Sequence, residues 1–320
     1  VIRSAHIIGS QESGGAERFY MRLLRALHRR EQPVLAINRA GSAVARELGQ
    51  AIPQAHLPLR NVFDLWSMWR IRRLVAAHRA QIVQTYMGRA TRLTRLPRQR
   101  NSVHVARLGG FYKLAGYRHA DAWVGNTKEI CDYLVGNGFA PARVFYVGNF
   151  VEVGERVCLD ARAPLLQRFA IPADAWLVLG IGRLINKKGF ADLLQAFAAM
   201  PADVAERPAH LLIVGEGPQR EALQQQAHQL GVAARVHWAG WQNDPSAFYR
   251  AADLFVCASL HEPLGNVILE AWGYGLPVVS TDTHGARELA SAGENAILVP
   301  CAKPAALAAA MTELLRAPDE

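Results

Sequence analysis

Short runs of β-branched and apolar residues recur along the chain, separated by segments whose apolar positions repeat at helical spacing. In the first half the strand candidates are SAHII (4–8), VLAIN (34–38), QIVQTY (81–86), SVHVAR (102–107), DAWVGN (121–126) and RVFYVGN (143–149). Helical periodicity fills several of the gaps, as in AERFYMRLLRALHRR (16–30) and LWSMWRIRRLVAAHR (65–79). Thr127 is placed to cap KEICDYLVGNG, which stops at Gly136 and Gly138.

The second half repeats the rhythm. Its strand candidates are WLVLGIGRL (176–184), HLLIVGEG (210–217), RVHWAG (235–240), DLFVCAS (253–259), LPVVSTD (276–282) and NAILVP (295–300). Strands alternating with helices predict parallel sheets covered on both faces. No strong strand pattern appears over 151–175, where the two series join. The expectation is an α/β protein of two Rossmann-like domains facing a cleft, 1–152 and 153–320.

Composition supports a folded chain and adds an asymmetry. Over 320 residues the hydrophobic content is 51% and the mean hydropathy +0.02, which excludes disorder by composition. Apolar runs fall short of a membrane span, and the opening residues read as strand then loop rather than as a signal peptide. Cys131, Cys158, Cys257 and Cys301 are scattered without a CxxC pair, which suits a reducing cytoplasm and no zinc or disulfide framework. Residues 1–150 hold 23 Lys and Arg against 8 Asp and Glu, a formal +15. Residues 151–320 hold 13 against 19, a formal −6. Halves of opposite sign predict domains with different partners.

Ligands of open α/β sheets bind beyond the carboxyl ends of the strands, so the loops there carry the chemistry. After the first strand, Gly14 and Gly15 allow a sharp turn into a helix N-terminus, a ready anion site. In GIGRLINKKGF (180–190), Arg183 and Lys188 flank the start of the next helix. The helix dipole prefers anions at that end, and a bound diphosphate resolves the conflict. A solvated basic loop is the alternative. HEPLGNVILEAW (261–272) then offers Gly265, Asn266 and Val267 as first helical amides, with Glu262 before them and Glu270 on the helix they open. Eight positions of helical rise span ~12 Å, which suits a ligand with hydroxyls at both ends and a diphosphate between. For Glu270 the alternative is a carboxylate capped in a helix–sheet interface.

GRLINKKG followed by HEPLGNVILEAWGYGLPVVSTDTHGARELA resembles the retaining glycosyltransferases of family 4, which have the GT-B fold. SGGAER and YVGNFVEV (146–153) resemble that family's first loop and inter-domain segment. The resemblance implies that Arg183 and Lys188 bind the donor diphosphate, Glu262 contacts the transferred sugar and Glu270 holds the ribose. It places Gly265, Asn266 and Val267 at donor phosphate or sugar, and Gly15 in the glycine-rich loop. Loops 215–218 and 239–244 would border the base. Where relatives often carry a histidine after the fifth strand, this chain has Arg107, with His104 three residues earlier. Arg107 could stabilise negative charge but cannot act as a base.

The implied function is a retaining glycosyltransferase moving a sugar from a nucleoside-diphosphate sugar to a glycolipid or saccharide, in lipopolysaccharide or other envelope glycan synthesis. No cofactor is expected, and without a DxD motif no metal is expected either. A nucleotide-sugar epimerase of the same fold and a non-catalytic nucleotide-sugar-binding subunit are the alternatives. Two further stretches of the basic half, GRATRLTRLPRQR (88–100) and LWSMWRIRRL (65–74), suggest peripheral attachment to an anionic membrane. The expected location is the cytoplasmic side of an inner membrane, with no nucleic-acid partner, since the aromatics do not interleave with the basic stretch.

Overall fold

The computed structural model describes residues 1–12, 14–97, 101–151, 159–291 and 294–317. The chain divides into two compact units, Val1–Phe150 and Val151–Glu320. The segment containing the boundary expected after 152 lies outside the described residues.

In the first unit β1 (Ser4–Ile8), α1 (Gly15–Arg29), β2 (Val34–Asn38), α2 (Ala43–Leu48) and β3 (Gln54–His56) lead to α3 (Leu65–His78). Then come β4 (Ile82–Tyr86), α4 (Met87–Leu93), β5 (Val103–Leu108), β6 (Ala122–Gly125), α5 (Lys128–Gly136) and β7 (Val144–Tyr146). The strands form a parallel sheet of order β3-β2-β1-β4-β5-β6-β7. Strand order reverses between β1 and β4. Thr127 caps α5 as expected, its side chain accepting from the Ile130 amide at 3.1 Å.

The second unit begins with α6 (Leu159–Arg168), β8 (Trp176–Ile181), α7 (Phe190–Ala199), β9 (Asp203–Val204), β10 (Arg207–Val214) and α8 (Arg220–Gln229). It continues through β11 (Val236–Gly240), α9 (Ser246–Ala251), β12 (Leu254–Cys257) and α10 (Asn266–Gly273). It closes with β13 (Val278–Thr281), α11 (His284–Leu289), β14 (Ile297–Val299) and α12 (Pro304–Arg316). The parallel order is β11-β10-β8-β12-β13-β14, with β9 antiparallel on β10. Here the order reverses between β8 and β12.

Both faces of the second sheet are buried, which is why its strands read as continuous apolar runs. Val178, Leu211, Ile213 and Val256 pack under Phe190, Leu193, Phe197 and Met311. The alternate positions Leu177, Leu179, Leu212 and Phe255 pack under Leu166, Phe248, Tyr249 and Ile268. Arg162 ties α6 to this layer, forking onto both oxygens of Asp253 at 3.0 Å and donating to the Ala175 carbonyl at 2.8 Å. Among the described residues no helix is long and apolar enough to cross a membrane.

Candidate functional site

The switch point of the second sheet collects the residues singled out by the sequence. β8 ends at Ile181 and its loop carries Arg183, which is exposed, and Lys188, which is half-buried. β12 ends at Cys257 and its loop carries Glu262 before opening into α10. The loops are joined through backbone: the amides of Leu260 and His261 donate to the Lys187 carbonyl at 2.9 and 3.3 Å. Gly189 makes that approach possible. It sits at φ +65, and a Cβ there would lie 1.9 Å from the Ala258 carbonyl oxygen. No other residue fits both the backbone angle and the space.

Side chains complete the join. Lys188 Nζ donates to Glu262 Oε2 in an ion pair, and its aliphatic stem lies along Gly182. Ser259 Oγ reaches the same carboxylate oxygen at 3.5 Å. Glu262 is further fixed through its carbonyl, which accepts from the Gly285 amide of α11 at 2.8 Å. A cation and a carboxylate thus stand together at the carboxyl edge of β8 and β12.

Beside them α10 starts at Gly265, which is left-handed at φ +85, so that Asn266 and Val267 supply the first helical amides. Gly265 has no side chain with which to cap that turn, and the positive end of the helix dipole faces the loop. Glu270 lies one turn further on, 5% exposed, its Oε2 accepting from the Tyr249 hydroxyl at 3.0 Å. The helix–sheet interface therefore does contain a hydrogen-bonded carboxylate.

The first unit places its expected residues differently. Gly15 opens α1 behind an extended Gly14, with no side-chain cap at that terminus, and Glu17 is buried in the first turn. Arg107 lies near the end of β5 and is buried. The guanidinium sits 3.8 Å from the Phe19 ring centre, and Nη2 donates to the Val147 carbonyl at 2.9 Å and to Asn149 Oδ1 at 2.7 Å. Burial pulls its pKa down to about 10, against the opposing pull of Tyr86. Phe150 also packs on Phe19, in a T-shaped pair with centroids 5.5 Å apart. Arg107 clips the chain leaving β7 onto α1. His104 is likewise internal, 3.0 Å from Thr85 Oγ1 and with its amide on Asp121.

Of the basic stretch 88–100, Arg98 and Arg100 lie outside the described residues. Arg89 donates to the carbonyls of Gly9 and Leu59 at 3.1 and 3.4 Å, so it serves the fold. Ser259, Tyr249 and Gly189 were not singled out by sequence. Tyr249 and Gly189 meet partners distant in the chain, and a serine just past a strand or a tyrosine in a two-turn helix gives no chemical signal.

Comparison with known proteins agrees with the geometry. The signature described as Glycosyltransferase Family 4 matches residues 13–155, and that described as Glycosyl transferases group 1 matches 175–317. The lipopolysaccharide core biosynthesis glycosyltransferase LpsE of Rhizobium meliloti is 33% identical, over 95% of this chain and 86% of its own. LpsD of the same organism is 31% identical, over 94% and 84%. The crystal structure of Anabaena HepE in complex with UDP and glucose superposes with a TM-score of 0.82 at 20% identity, covering 99% of this chain and 90% of HepE. Two doubly wound units, these signatures and 33% identity to LpsE over most of both chains make the chain a member of glycosyltransferase family 4, with the GT-B fold.

Proposed function

We propose that this glycosyltransferase moves a sugar, with retention of anomeric configuration, from a nucleoside-diphosphate sugar to a glycolipid or saccharide acceptor of lipopolysaccharide core or related envelope glycan synthesis. One observation carries the donor half. Lys188, Glu262 and the α10 terminus occupy adjoining loops at the switch point of the second sheet, where such folds bind ligands. The names of LpsE and LpsD support the acceptor half, and UDP with glucose in the HepE structure supports the donor class.

In this reading Arg183, Lys188 and the amides of Asn266 and Val267 meet the charge that grows on the departing diphosphate. That electrostatic contribution is usually the largest in such transfers. Lys188 bridges to Glu262, so the group that holds the diphosphate also orients the carboxylate that receives the sugar hydroxyls. Glu270 accepts from the ribose diol. We place Arg107 outside the reacting centre, as the clip on the connector. Neither a metal nor another cofactor has a role in this mechanism, so activity should persist in EDTA.

The acceptor side is assigned to the basic first unit, held peripherally on an anionic cytoplasmic leaflet. α3 supports this, because its outer face carries aromatic and basic side chains together.

Transfer assays with UDP-, GDP- and ADP-sugars, with and without a lipid-linked core acceptor, test the reading. Lys188→Ala should lower kcat by about 100-fold or more, with a smaller effect on donor KM. NMR should show a product of retained configuration. An inverted product, or donor binding with no transfer to any acceptor, would favour a different chemistry or a binding subunit.

A further inference from the structure

Glu270 is held by a residue that no sequence motif marks. Tyr249, on α9, is 1% exposed, and its hydroxyl donates to Glu270 Oε2 at 3.0 Å. Its ring cannot swing away. It stacks on Tyr274 with centroids 5.3 Å apart and planes within 7°, and it is tilted against Phe255 at 5.8 Å. α9 is anchored in turn, since Asp244 Oδ1 accepts from the Ser246 amide at 2.9 Å. Tyr274 also lies within reach of Arg250, 5.8 Å from its ring centre.

We propose that Tyr249 is a positioning residue for donor recognition: its hydroxyl fixes the plane of the Glu270 carboxylate so that both oxygens face a vicinal diol. The inference rests on the reading of Glu270 as the ribose acceptor. A carboxylate has about four lone-pair directions, and two hydroxyls of one ribose bind well only to two oxygens held in one plane. A carboxylate on a helix turns about its own side-chain bonds. A hydrogen bond from a rigid aromatic donor restricts that freedom before the ligand arrives, which lowers the ordering cost of binding. Oε2 keeps acceptor capacity beyond the tyrosine. The packed pair Tyr249–Tyr274 therefore sets the angle of a group that itself touches the ligand.

A hydroxyl that merely satisfies a buried carboxylate would affect stability but would not distinguish between ligands. The test uses that difference. Calorimetry with UDP, GDP and ADP identifies the nucleoside diphosphate that the wild-type protein binds most tightly, and its 2′,3′-dideoxy form removes the diol. Tyr249→Phe keeps the ring and its stacking. It should weaken the ribose form about five- to tenfold and leave the dideoxy form unchanged. Glu270→Ala should likewise lose its effect on the dideoxy form, and the double variant Tyr249→Phe/Glu270→Ala should bind no more weakly than Glu270→Ala alone. Equal loss on both ligands, or none, in Tyr249→Phe would overturn the proposal while Glu270→Ala still discriminates. If Glu270→Ala does not discriminate either, or if none of the three nucleotides binds wild type, the ribose assignment fails and the proposal falls with it.

Discussion

His6 lies inside the first sheet, with Nδ1 3.0 Å from the Tyr86 hydroxyl and Nε2 3.0 Å from Ser4 Oγ. Burial, helped by the charge of His78, lowers its pKa from 6.5 to about 4. The unfolded chain therefore takes up this proton at a higher pH than the native one. The stabilisation from keeping His6 neutral is complete above pH 6.5 and is lost as pH falls towards 4. It amounts to at most about 3 kcal/mol. Urea unfolding from pH 7 to 4.5 should show a steeper loss for wild type than for His6→Asn, and parallel slopes would remove His6 as a cause. At this scale the sequence was legible wherever a charge stood out of place: Glu270 within an apolar run, Lys188 as a cation at a helix N-terminus, Glu262 in the loop that opens the next helix. The structure brings Lys188 to Glu262 across 74 positions. Tyr249 and Ser259 carry no charge and sit in ordinary contexts, so only their three-dimensional contacts reveal them. Arg107 was conspicuous, but its partners at 147–149 depend on how β7 is reached.

Among the elements α3 is the one whose outer face is unusual. Phe63 just before it is 82% exposed, and Leu65, Trp66 and Trp69 are 73%, 53% and 48% exposed, while Ser67, Ile71 and Val75 face inward. Arg70 lies 5.8 and 5.9 Å from the rings of Trp66 and Trp69, and Arg73 lies 5.0 Å from Trp69. Indoles with cations beside them suit the boundary between headgroup and acyl chain. Each cation near an anionic surface adds about 1 kcal/mol, screened by salt. Sedimentation should show capture by anionic vesicles, little by neutral ones, and release in ~0.5 M salt. Trp66→Ala/Trp69→Ala should reduce capture about tenfold without altering soluble-donor binding. Equal capture by both vesicle types, or by neither, would refute the attachment. Long elements were legible because burial on both faces or one amphipathic stripe leaves a periodic trace. α1, α3 and α5 fall within a residue or two of expectation. α2, α4, α9 and α11 are six or seven residues long, too short to complete a helical pattern, and β3 spans only three. Tertiary contact, not periodicity, makes them regular.

For the whole molecule, two charge-asymmetric halves and two strand–helix series already implied two units, and the strand order then marked the place of the candidate site. No composition could have supplied the reversal between β8 and β12, because order in a sheet is decided by pairing between distant segments. The clip formed by Arg107, Phe19 and Phe150 bears on a different question, where this chain can be cut and rejoined. Val147, Asn149 and Phe150 follow the last strand of the first unit, yet they supply acceptors and a packing ring to a buried cation there. A fragment ending at Tyr146 would leave that guanidinium short of partners, at a cost of about 1–3 kcal/mol, whereas one ending at Phe150 keeps them. The longer fragment should melt several degrees higher, and equal Tm values would show the clip to be energetically idle. Recombination that preserves this unit should therefore place its seam after Phe150, so that the four residues beyond the sheet are inherited with it.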